Sequence, residues 1–221
     1  MFEPREYRAC VQPTGLTPFD VRVEETDLMV MADTRLVEAT RALVLDARGQ
    51  IQEHIAICPE FRRSLRPLDK SEAHATELPP VVTRMYEASA KTETGPMAAV
   101  AGAVSEYVGR GLLEQTAEVI IENGGDIFLC TKLPRVVSIF AGRSSLSMKV
   151  GLRVGPGAFG VCTSSGTVGH SYSMGNADAA TVVSPDTALA DAAATALGNR
   201  VKTAADVQAA LEWIQTIDGI V

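Results

Sequence analysis

Apolar and polar residues alternate near the start of the chain. Phe19, Val21 and Val23 face one way, Leu28, Val30 and Ala32 follow, and the polar stretch 24–27 lies between them. Period-two alternation across a polar turn predicts a β-hairpin. The spacing then lengthens: Leu36, Ala39, Leu43, Ile51 and Ile55 recur near the helical period, behind an Asp33 or Thr34 able to cap. This predicts a long helix, loosened at Gly49 and ended by Pro59. A polar, proline-marked connection over 61–80 comes next, then a helix over 81–91. A third helix starts at Gly95-Pro96, and its small residues permit close packing, with Met97 a core side chain rather than a ligand.

Beyond residue 118 the pattern changes to strands. Residues 118–122 and 127–130 flank Asn123-Gly124-Gly125, and 136–140, 150–154, 160–163 and 177–183 read as further strands. A helix over 187–198 and an amphipathic one begun by Thr203 or Asp206 close the chain. Helices and strands mix without a regular βαβ rhythm, which predicts an α+β (mixed α/β) layered fold. We expect one domain over 1–221, with the hairpin, long helix and connection in 1–80 and a ligand-binding core in 81–221.

Composition narrows the function classes. The 221 residues are 46% hydrophobic and 21% charged, with net charge −7. That balance argues against nucleic acid and against an anionic membrane surface, both of which need a basic face. It leaves room for a small phosphorylated ligand, because backbone amides and a metal supply local positive charge. The four cysteines are widely spaced in apolar stretches and read as buried free thiols. The first residues lack a secretion signal, and no apolar run reaches the roughly 20 residues of a membrane helix. The expected location is the cytoplasm.

Three blocks carry candidate chemistry. Asn123-Gly124-Gly125-Asp126 reads as a hairpin turn, or as glycines that admit a ligand to the backbone beside an Asp126 acceptor. The run from Gly155 to Thr167 ends in Thr163-Ser164-Ser165-Gly166, either a polar turn or a set of amides and hydroxyls for phosphate. Neither a Walker loop nor a Rossmann fingerprint is present. Asp191 and Thr195, four apart on a predicted helix, share one face and offer hard oxygens to Mg²⁺; the alternative is a surface aspartate near a helix start. His170 lies in a glycine- and serine-rich stretch typical of ligand loops. His54 and His74 have nothing convergent around them.

In their order, these blocks (ENGGDI, CTSSG, then VVSPDTALADAAATAL) resemble the ApbE-like superfamily of FAD:protein FMN transferases, with their N-x-GGD turn, T-S-G turn and A-D-A-x-x-T helix. Residues 95–102 resemble the small-residue helix leading into the GGD strand, so the resemblance covers about 95–200. It implies a layered fold with a mostly antiparallel sheet flanked by helices. It also implies that Asp191 and Thr195 hold Mg²⁺ with a backbone carbonyl of 95–102, placed at Ala98. Asn123, Gly124, Gly125, Asp126, Thr163, Ser164, Ser165 and Gly166 would then line FAD, with Asp191 and His170 as the catalytic pair. The implied reaction moves FMN from FAD to a threonine or serine of an acceptor protein.

The chain departs from those transferases in two blocks. Ala101 stands where they carry a lysine, and their H-x-x-D-P-x-T-G block is replaced by the shorter 170–176. It resembles a short, cytoplasmic branch of the superfamily, some members of which are associated with sulfide-dependent homocysteine formation. Three readings follow: a flavin-nucleotide binder with FMN-transfer activity, a component of sulfur assimilation acting on a small anionic metabolite, and a flavin carrier without turnover. The alanine-rich helices and the apolar Ile220-Val221 would suit a homodimer or a plain core equally.

Overall fold

The computed structural model describes residues 5–12, 15–72, 77–168 and 173–221. The predicted hairpin is β1 (Thr17–Val23) and β2 (Thr26–Ala32), with Val23 opposite Thr26. β3 (Val119–Asn123), β4 (Asp126–Thr131), β7 (Gly157–Ser164) and β8 (Ala180–Ser184) extend it into a six-stranded sheet ordered β1-β2-β3-β4-β7-β8. Every pairing in it is antiparallel. β5 (Arg135–Ser138) and β6 (Gly151–Val154) form a separate two-stranded ribbon inserted between β4 and β7. The mixed α/β layering with an antiparallel sheet agrees with the sequence reading.

Helices α1 (Val37–Ile57), α4 (Val100–Leu112) and α5 (Thr187–Arg200) cover one face of the sheet, with α3 (Pro80–Thr92) packed against these helices and α6 (Val207–Ile214) against α5. Strand alternation decides which residues meet them. Phe19, Val30, Ile121 and Phe128 point to the helices and join Val44, Phe61, Met85, Val104 and Ala192 in the main core. The opposite face carries Met29, Met31, Leu129 and Val161, partly covered by Val11 from the N-terminal segment and by Val137, Leu152 and Val154 of the ribbon.

Four local expectations need correction. α1 runs unbroken through Gly49, which faces open space, so the missing side chain removes no packing there. Asp33 and Thr34 do not cap it; the position before the helix is Leu36, and the Asp33 carboxylate accepts from Thr116 Oγ1 and the Ala117 amide instead. Residues 60–63 form a short helix, α2 (Glu60–Arg63), because Phe61 is fully buried against His54 and Tyr86. His54 is therefore a core residue, its Nε2 3.0 Å from Tyr86 Oη. Cys10 is exposed, whereas Cys58 and Cys130 are half-buried and only Cys162 of the four is buried; all are free thiols.

The alanines of α5 lie inside the chain. Ala188, Ala190, Ala192, Ala193, Ala194 and Ala196 are buried between the sheet and the neighbouring helices. Small side chains let one helix touch a sheet and several helices at once, which explains why so alanine-rich a helix sits at the centre.

Candidate functional site

Two glycines bring the site together. Gly160 of β7 lies under Thr187, the first residue of α5; a methyl group there would sit 2.5 Å from Thr187 Cα. Gly102, in the first turn of α4, lies against α5 so closely that a methyl group would sit 2.8 Å from Asp191 Cβ. With both helices drawn in, the Gly102 amide donates to Asp191 Oδ2 at 2.8 Å. Helix-start amides are a natural partner for a carboxylate, since their donors lack intrahelical acceptors.

The β3–β4 turn closes the same end of the sheet. Gly124 and Gly125 are its central residues, with φ +72° and +105°, and Asn123 pairs with Asp126 across it. Left-handed backbone at both positions requires glycine. Asn123 Nδ2 donates to the Ala101 carbonyl at 3.3 Å, tying the turn to α4. Asp126 pairs in turn with Cys162 across β4 and β7, so the three acidic groups Asp126, Cys162 and Asp191 cluster between sheet and helices.

Burial dominates their electrostatics. Asp191 is 7% exposed. Burial pushes its pKa up to about 7, while the Gly102 and Ala101 amides pull it back. Asp126 is held well above the usual carboxylate range, by burial first and then by the charge of Asp191; the Cys162 thiol and Thr163 amide oppose this. Burial, followed by the two carboxylates, raises the Cys162 thiol, so it stays protonated. Among the described residues neither carboxylate has an ion-pair partner. A buried and a half-buried carboxylate that feel each other's charge favour a shared proton or a bound cation.

The other expected residues are placed as follows. Thr195 lies one turn beyond Asp191 on α5, half-buried, and its hydroxyl makes no hydrogen bond among the described residues. Ala98 sits in the 3₁₀ turn Pro96–Ala99, which packs against α5. Thr163 Oγ1 bonds Thr181 Oγ1 at 2.9 Å on the sheet face away from α5, so only its backbone turns towards Asp126. Ser165 Oγ accepts from the Thr167 and Val168 amides at 3.1 and 3.0 Å, holding its own turn. Gly166 donates to the Ala177 carbonyl at 2.8 Å and lies tight against Gly175, while Ser164 approaches Gly198. His170 lies outside the described residues.

Sequence reasoning missed Glu122. It is 3% exposed, and its Oε1 accepts from the Gly125 amide at 2.9 Å and from Tyr7 Oη at 2.7 Å. Its Oε2 accepts from Arg8 Nε at 2.6 Å, and Arg8 also reaches Asp27, which is 1% exposed. In the N-x-GGD pattern Glu122 occupies the first place, a signal that was available. Nothing in the sequence signals that Tyr7 and Arg8, over 110 positions away, bind it.

Comparison with solved structures places the fold in a known class. The fold matches Pseudomonas stutzeri flavinyl transferase ApbE in its apo form, with TM-score 0.56 and 15% identity, covering 90% of this chain and 88% of that one. It also matches flavin transferase ApbE from Vibrio cholerae, with TM-score 0.53 and 13% identity, covering 93% and 96%. At these identities the likeness shows the ApbE fold. The family follows from closer comparisons: the model described as "AbpE bacteria" matches residues 8–213, and the chain belongs to that family. Relatives called UPF0280 protein include one from Methanothrix thermoacetophila, 42% identical over 184 residues, or 81% of this chain and 76% of the relative. Another, from Methanocella arvoryzae, is 40% identical over 199 residues, or 89% and 79%.

Proposed function

We propose that this chain binds a flavin nucleotide over the β3–β4 turn and the start of α4, with a divalent cation at Asp191. In this reading it transfers FMN from FAD to a threonine or serine hydroxyl of an acceptor protein. The observation that carries the reading is the burial of Asp191 beside Asp126 with no cationic side chain against either among the described residues. The names of the fold neighbours, both flavin transferases, point the same way.

The residues present fit Mg²⁺. The Asp191 carboxylate, the Thr195 hydroxyl (without a partner among the described residues) and the Ala98 carbonyl are hard oxygen donors on α5 and on the 3₁₀ turn that packs against it. When bound, Mg²⁺ would neutralise charge on the pyrophosphate and on the leaving AMP. The chain supplies the rest. Gly124 and Gly125 leave the backbone open to a ligand, and Glu122 fixes the Gly125 amide. In the transfer the acceptor oxygen bonds to the FMN phosphorus, the pyrophosphate P–O bond breaks with loss of AMP, and the hydroxyl proton passes to Asp126.

Thr195→Val tests the metal site without disturbing packing, because the change is nearly isosteric and the hydroxyl makes no bond among the described residues. Titrating FAD binding against Mg²⁺ should show roughly tenfold more Mg²⁺ needed, in line with the loss of one charge-assisted contact. Identical Mg²⁺ curves would remove Thr195 from the site.

A further inference from the structure

The proposed site has two acidic side chains, yet its ligand would be anionic. Position 101, in the first turn of α4, is alanine, so the ligand's phosphates need a positive partner from elsewhere. A guanidinium stands at the rim. A methyl group built on Gly124 would lie 3.2 Å from Arg5 Nη2 and 3.8 Å from Arg5 Cζ, and no other described group beyond its chain neighbours comes within 4 Å. The end of Arg5 therefore packs directly beside Gly124 of the turn.

The acidic groups near Arg5 do not consume it. Arg8 and Arg22 each approach Asp27 at 3.1 Å, and Arg8 holds Glu122 at 2.6 Å. Arg5 stands back, 4.0 Å from Asp27 and 3.8 Å from Glu122. Its one hydrogen bond runs from Nη1 to the Asp27 carbonyl at 2.6 Å, which leaves Nη2 without an acceptor among the described residues. The side chain is 21% exposed, partly screened and still reachable by a ligand. The bond to Asp27 and the packing at Glu122 hold the guanidinium in place before any ligand arrives, which lowers the entropy lost on binding.

We propose that Arg5 is the anion contact of this site, with its Nη2, which has no acceptor among the described residues, meeting a phosphate of the ligand lying over Gly124. This rests on the flavin-nucleotide reading and names the residue that selects phosphorylated flavins from neutral ones. A guanidinium suits phosphate because its fork of donors matches two phosphate oxygens.

The test compares FAD, FMN and riboflavin binding, with Mg²⁺ present, to the unaltered protein and to the Arg5→Ala and Arg5→Lys variants. Arg5→Ala should weaken FAD and FMN about tenfold and leave riboflavin and the thermal midpoint unchanged. Arg5→Lys, which keeps the charge and loses the fork, should recover part of the affinity. Equal affinity of Arg5→Ala and the unaltered protein for all three flavins would overturn the Arg5 assignment while the flavin reading stands. Equal weakening of all three, riboflavin included, would also overturn it, by showing a purely structural role. Binding of no flavin by the unaltered protein would remove both readings.

Discussion

Asp191→Asn should make the ligand-free protein more stable at pH 8 and, at the same time, cut Mg²⁺-dependent nucleotide binding by at least about 100-fold. The two effects have one cause. Asparagine keeps the shape and can still accept from the Gly102 amide, so the α4–α5 contact survives. What it removes is a charge that burial disfavours: the Asp191 pKa rises from its ordinary 3.8 to about 7. Ionising such a group in the native state costs at most roughly 4 kcal/mol.

The sign follows from proton counting. The unfolded chain releases this proton near pH 3.8, whereas the folded chain keeps it until about pH 7. Between those values the native state binds more protons, so stability falls as pH rises and levels off above pH 7. Asp126, raised in the same direction, steepens the fall. Unfolding midpoints in EDTA across pH 4–8 should slope downward for the unaltered protein and less steeply for Asp191→Asn. A variant less stable at pH 8 would contradict the counterion-free description of the cluster.

Gly102→Ala should be strongly damaging, costing about 3 kcal/mol by denaturant unfolding. The added methyl would meet the Thr187 carbonyl oxygen and, at 2.8 Å, Asp191 Cβ. The first is backbone and the second is next to it, so no flexible side-chain end can swing aside. α4 and α5 must separate, which also draws the Gly102 amide off Asp191. Nucleotide binding should therefore fall with stability, unlike in Asp191→Asn, where they part. A loss under about 1 kcal/mol would mean that the helices slide apart easily and that Gly102 does not set the site.

The elements were legible where one period dominates. The alternation at 19–32 and the helical spacing at 187–198 became β1–β2 and α5 because each buries a single kind of face or is small enough to be buried all round. Gly49 misled because glycine lowers helix propensity without forbidding helix, and packing of Val44, Ala47 and Ile51 carried α1 through it. Phe61 misled because one buried aromatic outweighed its polar neighbours.

At the site, Asp126 and Asp191 were singled out from local patterns, and the fold sets them together. Thr163 was read by type alone, and strand alternation turned its hydroxyl to the other face. Tyr7, Arg8 and Arg5 were illegible, since their meeting with Glu122 and Gly124 depends on where the N-terminal segment crosses the sheet.

The account stands on a cation-dependent flavin-nucleotide pocket at Asp191. Calorimetric titration of FAD into the protein, in Mg²⁺ and then in EDTA, tests it most directly. Micromolar or tighter binding in Mg²⁺, about 8 kcal/mol or more, lost in EDTA and in Asp191→Asn, is the predicted result. Absence of binding in both buffers, or binding indifferent to EDTA and to the variant, would contradict it.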